Sequence, residues 1–68
     1  MKVSLKALRV NAGLNQKDAA DAIGVNRATI LSWETNKTSP TALQLMRLCE
    51  LYHCEIGDIF LPDKLTLS

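Results

Sequence analysis

The chain has 68 residues and a net charge of +1, room for one domain and no more. Its 47% hydrophobic content includes one Trp, one Tyr and one Phe, so the core is aliphatic, and three glycines with two prolines are too few for a turn-rich sheet. No apolar run approaches the roughly 20 residues of a membrane span, which excludes that class and leaves a small helical domain.

The first predicted helix is capped by Ser4. Leu5, Leu8 and Ala12 line one face, and Gly13 ends it. Leu14 then turns back to the core. Asn15 with Asp18 approximates a capping box for a second helix, Gln16–Ile23, with Ala19, Ala20 and Ile23 inward. Gly24 stops that helix, Val25 bridges, and Asn26 caps a third, Arg27–Glu34, whose inward ridge is Ile30 and Trp33. The stretch Thr35–Pro40 reads as a polar loop with Asn36 as its left-handed residue. Thr41 with Gln44 opens a fourth helix, Thr41–Tyr52, with Ala42, Leu45, Leu48, Cys49 and Tyr52 on one face. A short fifth helix, Ile56–Phe60, is barred from continuing by Pro62. These elements make residues 1–62 a domain, and 63–68 a tail that is either dimer-forming or disordered.

Charge is unevenly placed. Residues 1–40 carry six basic and three acidic side chains, whereas residues 41–68 carry two and four. Such a field steers an anionic partner despite the small total. Two helices joined through a glycine turn form a helix-turn-helix, and Gly24 supplies the positive φ that the turn needs. With Ile30 and Trp33 inward, the outward face of the third helix is Arg27, Ala28, Leu31 and Ser32, with Thr29 near its edge. A short helix entering the major groove reads bases with its amino-terminal side chains. Arg27 matches guanine bidentately, and Ala28 or Thr29 suits a thymine methyl.

Residues 5–61 resemble the small phage-repressor and Cro-like regulators of the Xre family. The resemblance rests on Arg9, Gly13-Leu14-Asn15-Gln16, Ala20, Ile23-Gly24-Val25, Thr29-Ile30, Glu34, Lys37, Pro40 and Ile59-Phe60. It implies an all-α, compact, five-helix lambda-repressor-like domain that binds double-stranded DNA. Asn26, Arg27, Ala28 and Ser32 would approach base edges, joined by Thr29. Asn15, Gln16, Thr35, Asn36 and Lys37 would hold phosphates, and Arg9 would pair with Glu34 inside. Asn36 and His53 stand where relatives often carry glycine, which implies left-handed backbone at both.

One recognition helix covers few base pairs, so a homodimer on half-sites about 34 Å apart is expected. The apolar surface for it is Phe60, Leu61, Leu65 and Leu67, although Ile56, Ile59 and Phe60 could instead close the core. Cys49, His53 and Cys54 fall short of a four-ligand zinc set, and no metal or other cofactor is expected. The thiols and the absence of an apolar leader fit a reducing cytoplasm. No nucleophile stands with a base, so an enzyme is not expected. The alternative reading is a protein-interaction module, an antitoxin or antirepressor, which the apolar Leu31 on the outward face favours. The leading reading is a sequence-specific transcriptional regulator, a repressor on a palindromic operator.

Overall fold

The computed structural model describes residues 3–59. Four helices follow in order, α1 (Leu5–Asn11), α2 (Gln16–Ile23), α3 (Arg27–Glu34) and α4 (Ala42–Tyr52), and then a single 3-10 turn, Ile56–Asp58. The expected fifth helix is thus reduced to that turn among the described residues. Ile56 points into solvent at 49% exposure while Ile59 is buried at 2%. Ile59 leaves the turn in an extended conformation and makes a parallel bridge with Val3. The Val3 N–H donates to the Asp58 carbonyl at 2.7 Å. The two ends of the domain are therefore pinned by backbone pairing rather than by another helix. Phe60, Leu61, Leu65, Leu67 and the 63–68 tail lie outside the described residues.

Side chains start most of the helices. Ser4 accepts from the Ala7 N–H at the mouth of α1. Asn15 and Asp18 form a reciprocal capping box at α2, and Thr41 and Gln44 form another at α4. Each satisfies amide donors that a helix start leaves unpaired. At α3 the expectation fails in part, because Asn26 occupies the capping position but its side chain makes no capping bond. Ala42 also departs from its expected inward place. It is exposed in the first turn of α4, and the apolar side chains of that helix pack against the core only from the half-buried Leu45 onward.

The four helices end alike. Gly13 (φ 76°), Gly24 (φ 85°), Asn36 (φ 62°) and His53 (φ 55°) each take the left-handed conformation just past a helix. In each case the next residue's N–H returns to a carbonyl in the last turn, as in Leu14 to Arg9, Val25 to Ala20, Lys37 to Ser32 and Cys54 to Cys49. This is the Schellman arrangement, usually closed by an apolar contact from the residue after the left-handed one. Leu14, Val25 and Cys54 make that contact, packing against the core. Lys37 does not; it is exposed. At Gly24 an added Cβ would meet nothing within 4 Å, so the constraint there is backbone conformation alone.

The core joins Leu5 and Leu8 of α1, Ala19, Ala20 and Ile23 of α2, Ile30 and Trp33 of α3, Leu48, Cys49 and Tyr52 of α4, and Ile59. The small Ala19 and Ala20, at 0% and 2% exposure, lie where α2 meets α3 and α4. Ile30, Leu48 and Ile59 are the largest side chains that are fully enclosed. Enclosing Ile30 and Trp33 from one side of α3 fixes the rotation of that helix, and the opposite side is left to solvent.

Candidate nucleic-acid interface

A buried charge pair sets the frame. Arg9 of α1 is 7% exposed, the one charged residue in the buried set among the described residues. Its Nε donates to Glu34 Oε2 at 2.7 Å, its Nη2 to Glu34 Oε1 at 3.3 Å and its Nη1 to the Leu14 carbonyl at 2.8 Å. The side chains of the pair are only 9% and 4% exposed. The guanidinium is thus shared between the end of α3 and the chain entering α2. The hydrogen bond to Glu34 raises the Arg9 pKa, burial opposes that, and the charge of Glu34 raises it further, so Arg9 stays charged. Tyr52 of α4 stands near the pair. Burial first, and then the Glu34 carboxylate, push its phenol up to about 12.

Gln16, the first residue of α2, joins the same network. Its Nε2 donates to Glu34 Oε1 at 3.2 Å. The amide keeps its carbonyl oxygen and a second N–H for an outside partner. Beside it is an open hollow lined by Arg9, Asn15, Gln16, Lys17 and Arg27. Three cations thus border one concavity. Among the acidic groups near them, Glu34 is paired with Arg9 and Asp21 with Lys17 at 3.2 Å, while the Asp18 carboxylate accepts from the Asn15 N–H in the capping box. Neither Arg27 nor Lys37 forms a salt bridge among the described residues.

The structure sorts the expected contact residues by what already holds them. Asn15 Oδ1 accepts from the Asp18 N–H at 2.7 Å and is committed to its cap. The Thr35 hydroxyl donates to the Leu31 carbonyl at 2.8 Å. Asn26, Arg27 and Ala28 are exposed at the open start of α3, whereas Thr29 and Ser32 are half-buried further along it. Lys37 is exposed and fastened by its backbone N–H to the Ser32 carbonyl at 2.9 Å. Asn36, also exposed, supplies the left-handed turn before it. Asn15, Gln16 and Arg27 therefore share one hollow, and Thr35, Asn36 and Lys37 group at the far end of α3.

Lys17 belongs to the hollow and was missed from sequence. It forms an exposed i,i+4 pair with Asp21. With side-chain exposures of 76% and 67% that pair is weak, and the ammonium can turn to another anion. Cys49 and Cys54 are free thiols, and no group of three or more potential metal-ligating side chains occurs among the described residues. Burial first, then the neighbouring Cys54, push the Cys49 thiol up to about 11, the opposite of what a reactive thiolate needs. No helix among the described residues is long and apolar enough to cross a membrane.

Comparison with known proteins agrees with this geometry. A helix-turn-helix family model matches residues 5–59. An uncharacterised HTH-type transcriptional regulator of Methanocaldococcus jannaschii is 34% identical over 63 residues, 93% of this chain and 96% of that protein. Another from Methanothermobacter thermautotrophicus is 32% identical over 65 residues, 94% of each chain. The cryptic phage CTXphi transcriptional repressor RstR of Vibrio cholerae is 28% identical over 64 residues, 94% of this chain and 58% of the repressor. The chain belongs to the helix-turn-helix family, among the phage-repressor-like Xre group of DNA-binding transcriptional regulators.

Proposed function

We propose that this protein is a sequence-specific repressor that binds a palindromic operator as a homodimer in the cytoplasm. Asn26, Arg27, Ala28, Thr29 and Ser32 read base edges, and Asn15, Gln16, Thr35, Asn36 and Lys37 hold phosphates. One observation carries the reading. The exposed start of α3, with Arg27, opens onto a hollow bordered by Arg9, Lys17 and Arg27, of which Arg27 is in no salt bridge among the described residues. A polyanion with a groove about 12 Å wide fits that combination. Repression is supported by the likeness to a phage repressor. Dimerisation is supported by the small footprint of an eight-residue recognition helix, and Phe60, Leu61, Leu65 and Leu67 are assigned to the dimer contact.

The test is selection of bound duplexes from a random pool, followed by affinity measurements over a range of salt. The selected sites should show two-fold symmetry with half-sites about one helical turn apart. Arg27→Ala should flatten the preference at one base pair and leave the fold intact. Lys37→Ala should weaken every sequence alike and reduce the salt slope by about one. If no duplex is bound above background at low salt, the reading is wrong.

A further inference from the structure

We propose that Leu31 is a specificity-determining residue that packs on the C5-methyl group of a thymine. The inference rests on the DNA-reading role of α3 proposed above and adds a base-contact residue to it.

Leu31 is 46% exposed on a helix whose other large apolar side chains, Ile30 and Trp33, are 1% and 5% exposed. With about 100° between successive residues of a helix, Ala28, Leu31 and Ser32 form the side opposite that buried ridge. Ala28 stands at the middle of that side, and Leu31 lies about 50° from the middle on the side of Arg27. Among the described residues its side chain is not part of the packed core, and its backbone carbonyl accepts from the Thr35 hydroxyl and N–H.

Charge decides between a nucleic acid and a protein as the occupant of this face. Arg27 lies one turn before Leu31, and Lys37 follows α3 at its far end. Both are exposed and neither is in a salt bridge among the described residues. The acidic group of α3 itself, Glu34, is turned away and matched by Arg9. An apolar side chain framed by uncompensated cations suits a duplex, which presents phosphates around a groove with one apolar feature. In the major groove that feature is the thymine methyl; the nitrogen and oxygen groups of the base edges there are donors or acceptors, and cytosine offers only a C5–H in the methyl's place. A leucine can form no hydrogen bond, so it would leave those groups unpaired where it shuts out water. The neighbouring Ala28 is too short to compete for the contact and leaves room for it.

The register follows from helix geometry. Leu31 is four residues beyond Arg27, about 6 Å along the axis. At about 3.4 Å per base pair, the thymine lies one or two steps from the position that Arg27 reads.

The experiment uses the selected operator and compares thymine with deoxyuridine at each A·T pair of the half-site, one at a time. Deoxyuridine lacks only the methyl group. Wild-type protein should lose about fourfold in affinity at one position, one or two steps from the position at which Arg27→Ala loses its preference. Leu31→Ala should bind thymine and deoxyuridine there equally. Leu31→Gln, which restores hydrogen bonding, should shift the preference at that position towards adenine. Circular dichroism of both variants should match wild type, since the side chain is on the surface. The proposal is overturned if no thymine in the half-site shows methyl dependence, or if Leu31→Ala keeps the wild-type dependence. It is overturned also if Leu31→Ala leaves DNA binding unchanged while abolishing capture of a protein partner. In those three results the duplex is still bound, so the DNA reading stands. Failure of the wild type to bind any duplex removes the DNA reading itself.

Discussion

Glu34→Gln tests the buried pair that ties the start of α2 to the end of α3. The substitution keeps the shape of the side chain and removes its charge. In the native protein the Glu34 carboxylate accepts from Arg9 Nε, Arg9 Nη2 and Gln16 Nε2. A glutamine offers one acceptor oxygen instead of two and turns N–H donors towards a guanidinium that is itself all donors. Arg9, at 7% exposure, is left charged with little water to compensate it. Breaking a buried pair from one side costs about 3–5 kcal/mol, and the lower end applies to an isosteric change. The total stability of a 68-residue domain is about 3–10 kcal/mol, so the loss is a large fraction of it. At about 4–8 °C per kcal/mol for this size, Tm should fall by about 12–24 °C in thermal unfolding followed by far-UV circular dichroism. Arg9→Met combined with Glu34→Leu removes both charges together. It should recover all but about 1–2 kcal/mol, the remainder reflecting the Leu14 carbonyl that loses its donor. If Glu34→Gln costs under about 1 kcal/mol, or if the double variant loses the sum of the two single losses, the pair is not the coupled buried unit described here.

Further predictions rest on separate features. His53 holds a left-handed conformation at φ 55°, so His53→Gly should stabilise the domain by about 0.5–1 kcal/mol, read as a rise in Tm; a fall would show that the imidazole makes a compensating contact. Asn15→Ala removes a capping oxygen and should cost about 1 kcal/mol. Asn26→Ala removes no capping bond, so it should stay within about 0.5 kcal/mol of wild type while altering base preference. Cys49 and Tyr52 bear on alkaline stability. Their folded values of about 11 and about 12 lie above ordinary values of 9.0 and 10.0. For acids raised on folding, the stabilising contribution is complete below the unfolded pKa and is lost as pH climbs through the folded one. Unfolding free energy should therefore hold to about pH 9 and decline towards pH 12, by about 2–3 kcal/mol per group; a flat profile across that window would remove the burial argument for both.

The boundaries of α2 and α3 were legible because each is bracketed by local signals. A short polar residue stands before each helix, and a residue able to turn left-handed follows it. Those signals act over five or six residues and depend on no distant contact. The inward ridge of Ile30 and Trp33 was equally legible from its spacing of three. The last element was not. Ile56 and Ile59 are also three apart and imitate the same ridge, yet only Ile59 is buried, by pairing with Val3 at the other end of the domain. A contact across more than 50 residues leaves no mark in local spacing. Ala42 failed for a related reason, because a helical stripe predicts direction and not where along the helix the core begins.

The site shows the same division between local and distant causes. Sequence marked Asn15 as the cap of α2, but did not show that Gln16 and Thr35 are also already held by the frame. Those held groups are the ones assigned to phosphates, where a fixed position sets the register of a protein on a duplex. Asn26 and Arg27, assigned to bases, have side chains with no capping bond and no salt bridge among the described residues. Lys37 joins the two classes. Its backbone is fastened by the Schellman bond, but it stands where the other three helix ends bury an apolar side chain. A fold that needed only to close α3 would have gained from an apolar residue there. The cation in its place adds nothing to the core, which supports the proposed contact with a phosphate outside the domain.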